Sequence, residues 1–200
     1  DTTMNSMAID ILTDEIIDPY GGQRDIRKKM IRRTGKHFAE DPLRALRAAR
    51  QAAEFGFEID GDTLEAMEEL AGELKTVSSE RIVGELMRVL TVDCEQGGAP
   101  ERFFIMLRRA NLVETVFPEL YALIGKEQPA NWHPEGDSWN HTMLTFALAC
   151  RKTTNVTGRF AALVHDLGKG LTPAEVLPHH YGHELRGLDA LRAWNDRMTL

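Results

Sequence analysis

Apolar residues return every three or four positions from Asp41 nearly to the end of the 200-residue chain. This is the period of helices burying one face. The first of these helices starts at Asp41–Pro42, since aspartate accepts a bond from a free amide and proline tolerates the first turn. It stops at Phe55–Gly56, where glycine can take the left-handed terminal conformation. Asp62–Thr63–Leu64–Glu65 reads as a capping-box start to a second helix with the stripe Leu64, Met67, Leu70 and Leu74. Ser78 or Ser79 opens a third, which buries Ile82, Leu86 and Val89 or Leu90. Pro100–Asn111 forms a fourth, with Phe103, Phe104, Met106 and Leu107 on its apolar side. Further helices are predicted near 138–152, 157–168 and 183–198.

Before Asp41 the pattern changes. Met7–Ile11 and Glu15–Asp18 are short β-prone runs around Thr13–Asp14, the signature of a hairpin. A lone two-stranded hairpin is marginal, so the strands are expected to belong to a larger sheet. Tyr20–Gly22 is a turn, and Gln23–Arg33 is a basic, helix-prone connector carrying Ile26, Met30 and Ile31. Gly125–Asp137 concentrates glycine and proline and is the predicted boundary. The fold class is therefore mainly α: a short N-terminal β-hairpin remnant, a helical neck and body, and an all-α second part, with boundaries at 1–25, 26–128 and 129–200.

Charge singles out one stretch. The net charge of −7 argues against a general nucleic-acid coat, yet Arg24 to Arg50 holds ten Lys/Arg against three Asp/Glu. A basic block of +7 in an acidic chain points to one dedicated polyanion site. Within it lies EDPLRALRAAR, Glu40–Arg50. At about 100° per residue, Asp41, Arg44 and Arg47 share one helix face and Arg50 sits at its border. A carboxylate and planar guanidiniums on a rigid rod can bond the edge of a base or clamp a phosphate. A solvated charged face is the plainer alternative.

The seven histidines are the second chemical signal: six lie beyond residue 130. Phe160–Gly170, FAALVHDLGKG, delivers His165–Asp166 near the end of an apolar helix. Imidazole nitrogens and a carboxylate suit a borderline divalent ion such as Ni2+, Mn2+, Fe2+ or Zn2+, and a buried His–Asp hydrogen bond is the structural alternative. Only Cys94 and Cys150 occur, without a CxxC, which argues for a reducing, cytoplasmic setting. No apolar run approaches the roughly 20 residues of a membrane span, so no membrane partner is expected.

These motifs together resemble the bacterial class II tRNA nucleotidyltransferases, the CCA-adding enzymes and their poly(A) polymerase relatives. DTTMNSMA at Asp1–Ala8 looks like the tail of the family's RRDxTxNAMA, with Ser6 in place of an alanine. Ile17–Gly22 with Asp25–Ile26 is similar to the IDPYGGxxDI connector. EDPLRALRAAR is similar to the nucleotide-selecting EDxxRxxR, and SSERIVGEL at Ser78–Leu86 to the SxERIxxEL that follows it. The resemblance implies that Asp41 and Arg44 pair with the base of incoming CTP or ATP and that Arg47 supports a triphosphate or a partner carboxylate. Asp1, Asn5 and Arg50 would support that nucleotide site, while Arg81 and Glu85 would be structural. tRNA is the implied partner. The family's Mg2+-binding D-x-D and its glycine-rich turn lie upstream of these motifs and have no counterpart here. The chain is thus expected to be a fragment without most of the catalytic head, itself inactive in nucleotidyl transfer.

The second part resembles the HD phosphohydrolase domain attached to some of these enzymes, through HPEGDxxxHTM at His133–Met143, HDLGKG, and LPHHYGHE at Leu177–Glu184. By that resemblance His141, His165 and Asp166 hold a transition metal such as Ni2+. His180 and His183 line the site or take a phosphate or second metal, and Lys169 neutralises a phosphoryl oxygen. His133 and Glu135 match family positions without an assigned chemistry, and His179 is expected in solvent. The implied activities are 2′,3′-cyclic phosphodiesterase, 2′-nucleotidase and phosphatase on small phosphorylated nucleotides. A stand-alone HD hydrolase with a basic RNA-binding neck, and a non-catalytic helical RNA-binding module, use the same residues.

Overall fold

The computed structural model describes residues 1–198, so the last two positions of the 129–200 segment lie outside the described residues. The hairpin forms, but it is shorter than its β-prone runs. β1 (Ala8–Ile9) pairs antiparallel with β2 (Ile16–Ile17), and all four residues are exposed. No larger sheet receives it among the described residues. Next, the Asp18 carboxylate accepts the amides of Gly22 and Gln23 at 2.7 and 3.0 Å and so caps α1 (Gly22–Arg27). Glycine is required at 22: a β-carbon there would come 2.6 Å from the Thr3 carbonyl oxygen.

The basic connector is not one helix. After α1 the chain extends into β3 (Met30–Ile31), which pairs in parallel with β4 (Glu58–Ile59) in the register Met30 to Glu58 and Ile31 to Ile59. Ile31 is fully buried, while Ile26 stays exposed. Between these strands runs α2 (Leu43–Phe55), whose first amide is accepted by Asp41 Oδ1 at 3.1 Å. Gly56 ends it at φ 66°. Its buried face is mostly alanine (45, 48, 49, 52 and 53), and these small side chains let neighbouring helices approach closely.

The second helix starts two residues earlier than the capping-box reading. Asp60, not the exposed Asp62, accepts the Thr63 amide at 3.1 Å and caps α3 (Gly61–Glu69). The chain breaks at Leu70 into α4 (Ala71–Leu74). Then follow α5 (Ser79–Leu90) and α6 (Glu101–Arg109), both packed on α2. Two four-residue turns, α7 (Val113–Val116) and α8 (Pro118–Tyr121), come next and are too short to register as a period. α9 (Ser138–Lys152), α10 (Val156–Val164) and α11 (His183–Met198) complete the chain, close to their expected places.

One apolar cluster runs from Ile31 to Met198, across the loop at 125–137. Phe104 meets Phe103, Phe117 and Phe146 edge-on at 5.1–5.6 Å, and Phe117 stacks on Trp194 at 5.2 Å. Such rings contribute about 0.5–1.5 kcal/mol per pair beyond their buried area. A second fastener is polar. The guanidinium of Arg159, 2% exposed, donates to the carbonyls of Leu90, Val92, Cys150 and Thr153 at 2.7–2.8 Å. It thereby ties α10 to the carboxyl ends of α5 and α9, where the helix dipoles favour a cation.

Candidate functional site

Two clusters gather the chemistry-bearing residues. The first lies along α2. Asp41, Arg44 and Arg47 are all partly exposed, with side-chain exposures of 32, 24 and 36%. Their partners differ. Asp41 Oδ2 accepts from Arg81 of α5 at 2.7 Å. Arg44 donates to the carbonyl of His37 and stands 3.8 Å from Glu40. Arg47 donates to Asp1 Oδ2 at 2.5 Å. The Asp41 carboxyl lies below the usual carboxylate range: burial opposes ionisation, but the Arg81 bond and the Leu43 amide outweigh it.

Arg50 points elsewhere. It donates to Glu85 at 2.6 Å and to Glu54, and Glu85 also takes Arg88 at 3.1 Å. Its guanidinium is therefore engaged by carboxylates, and Glu85, buried on α5, joins the two helices. Asn5, also exposed, has its amide on the Thr2 carbonyl. Asp25, fully buried, accepts from Thr3 at 2.8 Å and Arg32 at 3.0 Å, and holds the N-terminal segment against the body. One D-x-D spacing does occur, at Asp60–Asp62, but Asp60 is spent on the helix cap and on Arg32 at 3.6 Å.

The second cluster surrounds Asp166, which is 4% exposed. His165 Nε2 lies 3.1 Å and His141 Nε2 3.7 Å from Asp166 Oδ2, and His183 Nε2 lies 3.4 Å from Oδ1. The rings of His141 and His165 are 5.5 Å apart. In each of the three imidazoles the other nitrogen faces an acceptor. His165 Nδ1 meets the Ala162 carbonyl at 2.9 Å, His183 Nδ1 the His180 carbonyl at 2.7 Å, and His141 Nδ1 the Glu135 carboxylate at 2.6 Å. Carbonyl and carboxylate oxygens only accept, so Nδ1 carries the proton and Nε2 turns its lone pair toward Asp166 in the neutral ring. Lone pairs facing a carboxylate call for a cation or an extra proton between them.

The residues therefore fit a divalent ion. Donor atoms of His141, His165 and Asp166 all lie within 4.8 Å of one another, and their outer nitrogens are anchored as metal-ligating imidazoles are. Burial disfavours the Asp166 carboxylate, yet contacts with His165 and Lys169 hold it well below its ordinary value. His165 is pushed up: burial works against its charged form, and the Asp166 bond overrides this.

The HDLGKG turn builds this arrangement. Asp166 and Lys169 flank Gly168, where a β-carbon would lie 1.9 Å from the His183 carbonyl oxygen. Glycine there lets the start of α11 close onto the turn and brings His183 to Asp166. Lys169 is buried, 2.7 Å from Asp166 and donating to Gln128 at 2.6 Å. His180 lines the cavity beside the cluster, with its Nε2 facing the Glu127 carbonyl and its Nδ1 the Thr172 hydroxyl, both at 2.9 Å. His179 is exposed, stacked on Tyr181. A cavity of about 350 Å³, lined in part by His133, Lys169, Tyr181 and His183, opens beside the cluster.

Comparison with known proteins agrees with the order of these motifs. Residues 1–32 match the poly A polymerase head domain, and residues 56–123 match the probable RNA and SrmB-binding site of polymerase A. The multifunctional CCA proteins of Shewanella denitrificans and of Neisseria gonorrhoeae are each 42% identical, over 100% and 99% of this chain and 48% and 47% of their own lengths. The fold is similar to that of the Thermotoga maritima CCA-adding enzyme complexed with tRNA (TM-score 0.63, 22% identity, 100% of this chain and 43% of that one). It is also similar to a CCA-adding enzyme with ATP (TM-score 0.61, 21% identity, 100% and 42%).

A match to the poly A polymerase head followed by one to the RNA-binding segment places the chain with the poly(A) polymerase type of protein. Within that class, the chain belongs to the class II tRNA nucleotidyltransferases. It spans about half the length of the curated relatives it matches.

Proposed function

We propose that this chain is the neck, body and histidine-rich segment of a CCA-adding enzyme that extends tRNA 3′ ends from CTP and ATP. The names of its 42%-identical relatives support the reaction, and the α2 face supports the residue assignment. Asp41, extended just before α2 rather than on its face, offers an acceptor, Arg44 and Arg47 on α2 offer donors, and all three are partly open to solvent. Discrimination between two bases needs fixed donors and acceptors, because the wrong base leaves buried polar groups unpaired. Asp1 supports Arg47 from the head side. The Mg2+ of nucleotidyl transfer has no D-x-D of the family's kind among the described residues, so this segment selects the nucleotide and does not transfer it.

The histidine cluster is read as a phosphohydrolase site, with small phosphorylated nucleotides as substrates. His141, His165 and Asp166 would hold the metal, with His183 adjoining. A bound transition metal polarises a phosphate and lowers the pKa of a bound water. The chain's own groups do the rest: Lys169 places a positive charge at the floor of the cavity, and burial around Asp166 limits water. The observation that carries this reading is the turning of three Nε2 atoms onto one buried carboxylate. In the full-length protein, hydrolysis of 2′,3′-cyclic AMP with added Ni2+ is expected, and His165→Ala should abolish it. Hydrolysis that survives this change overturns the reading.

A further inference from the structure

Glu135 stands outside the groups assigned above, yet its carboxylate meets two of the histidines. Its Oε1 lies 2.6 Å from His141 Nδ1 and 3.0 Å from His133 Nδ1. The two rings meet edge-on at 4.8 Å. One oxygen thus anchors two imidazoles whose other nitrogens face different ways. His141 sends Nε2 to Asp166. His133 belongs to the cavity wall, and its Nε2 bonds to none of the described residues. The loop that carries Glu135 is itself held, because Asn140 donates to the Glu135 carbonyl at 3.1 Å and Asp137 caps α9 through the Asn140 amide at 2.9 Å.

From this geometry we propose that Glu135 is the positioning residue of the histidine site, fixing both His141 and His133 as Nδ1–H tautomers. The inference rests on the metal-site reading for His141 and extends it to two residues without an assigned role. The physical case is one of proton placement. A carboxylate acceptor behind an imidazole keeps the proton on the near nitrogen and makes the far one a better ligand, and losing such a partner typically weakens metal binding 10- to 100-fold. For His141 the far nitrogen serves the cation. For His133 it turns a lone pair to the cavity, where it can accept from a ligand hydroxyl or a water. Hydrogen-bond separations of 2.6 and 3.0 Å require protons between these atoms, which argues against a second cation seated in the same trio.

The test uses the full-length protein and four variants: Glu135→Gln, which keeps the shape; Glu135→Ala, which does not; His165→Ala, which removes a proposed ligand; and His133→Ala, which opens the trio. Two readouts are independent. In the metal-free protein, imidazole nitrogen shifts by NMR report the tautomers of His141 and His133. Calorimetric Ni2+ titration reports affinity. Wild type is expected to show Nδ1–H at both rings. Glu135→Gln should leave mixed tautomers and a 10- to 100-fold weaker Ni2+ site, with the melting temperature close to wild type. Unchanged tautomers together with unchanged Ni2+ affinity in Glu135→Gln overturn the proposal. So does a second equivalent of Ni2+ that is lost in His133→Ala, since the trio would then be a metal site itself. If His165→Ala binds Ni2+ like wild type while Glu135→Gln still scrambles the tautomers, the metal-site reading fails and the hold of Glu135 on its two imidazoles stands. Should Glu135→Ala not fold, Glu135→Gln decides alone.

Discussion

Arg81 donates through Nη2 to Oδ2 of Asp41 at 2.7 Å, across forty positions of sequence. The pair links the start of α2 to α5 and fixes where the Asp41 carboxylate points. Both side chains are well solvated, at 48 and 32% exposure, so the pair contributes under about 1 kcal/mol to stability. Arg81→Ala is therefore expected to leave the melting temperature within about 4 °C of wild type. In the complete enzyme it should relax the choice between CTP and ATP by about tenfold, as Arg44→Ala should; a tenfold change corresponds to about 1.4 kcal/mol. Competition between the two nucleotides for a tRNA primer measures this. An equal loss for both nucleotides and for tRNA binding would make these arginines plain phosphate contacts.

Arg159 is a structural cation bonded to four carbonyls, with no carboxylate on it among the described residues. Arg159→Met keeps much of the packing but leaves those carbonyls without their donor. Unsatisfied buried groups cost about 1–3 kcal/mol each. Urea unfolding should show a loss of about 3 kcal/mol or more. A loss under about 1 kcal/mol would mean that water replaces the guanidinium.

Gly168→Ala forces a β-carbon against the His183 carbonyl oxygen and the Gly187 amide, at 1.9 and 2.5 Å. Backbone on backbone cannot yield as a flexible side chain can, so the start of α11 must move. Overpacking of this kind costs about 1–3 kcal/mol. Ni2+ binding should weaken with it, since His183 leaves Asp166. Wild-type Ni2+ affinity in this variant would show that α11 does not shape the site.

The Cys150 thiol is buried and burial pushes it up to about 12, while Cys94 is raised less. In the unfolded chain the thiol ionises near its ordinary value of 9.0. Between about pH 9 and 12 the folded state keeps a proton that the unfolded state releases, so stability falls as pH rises through that window. Cys150→Ala should flatten this alkaline limb in chemical unfolding at a series of pH values. At neutral pH, alkylation should reach Cys94 first and Cys150 only on unfolding.

Much of the helical body was legible because its signals are local. The proline and aspartate before α2, Gly56 after it, and the apolar period of α5 and α6 each act within a turn or two. What escaped depends on distant partners. Nothing near Met30 and Ile31 announces a strand, because their mate at 58–59 lies beyond a whole helix. The capping-box pattern points to Asp62, whereas Asp60 takes the cap by accepting the Thr63 amide, with Arg32 3.6 Å away. The burial of Arg159 follows from the carboxyl ends of α5 and α9 meeting at one point, which no spacing encodes. Around Asp166 the residue types were readable but their orientations were not: nothing in the spacing says that both nitrogens of His180 meet Glu127 and Thr172.

The aromatic chain from Phe146 through Phe104 and Phe117 to Trp194 has a consequence for any attempt to separate the two chemistries. Cutting the 125–137 loop with a protease would leave two pieces still gripped by the same stacked rings. They should co-elute on a sizing column and melt in a single transition, since each half completes the other's core.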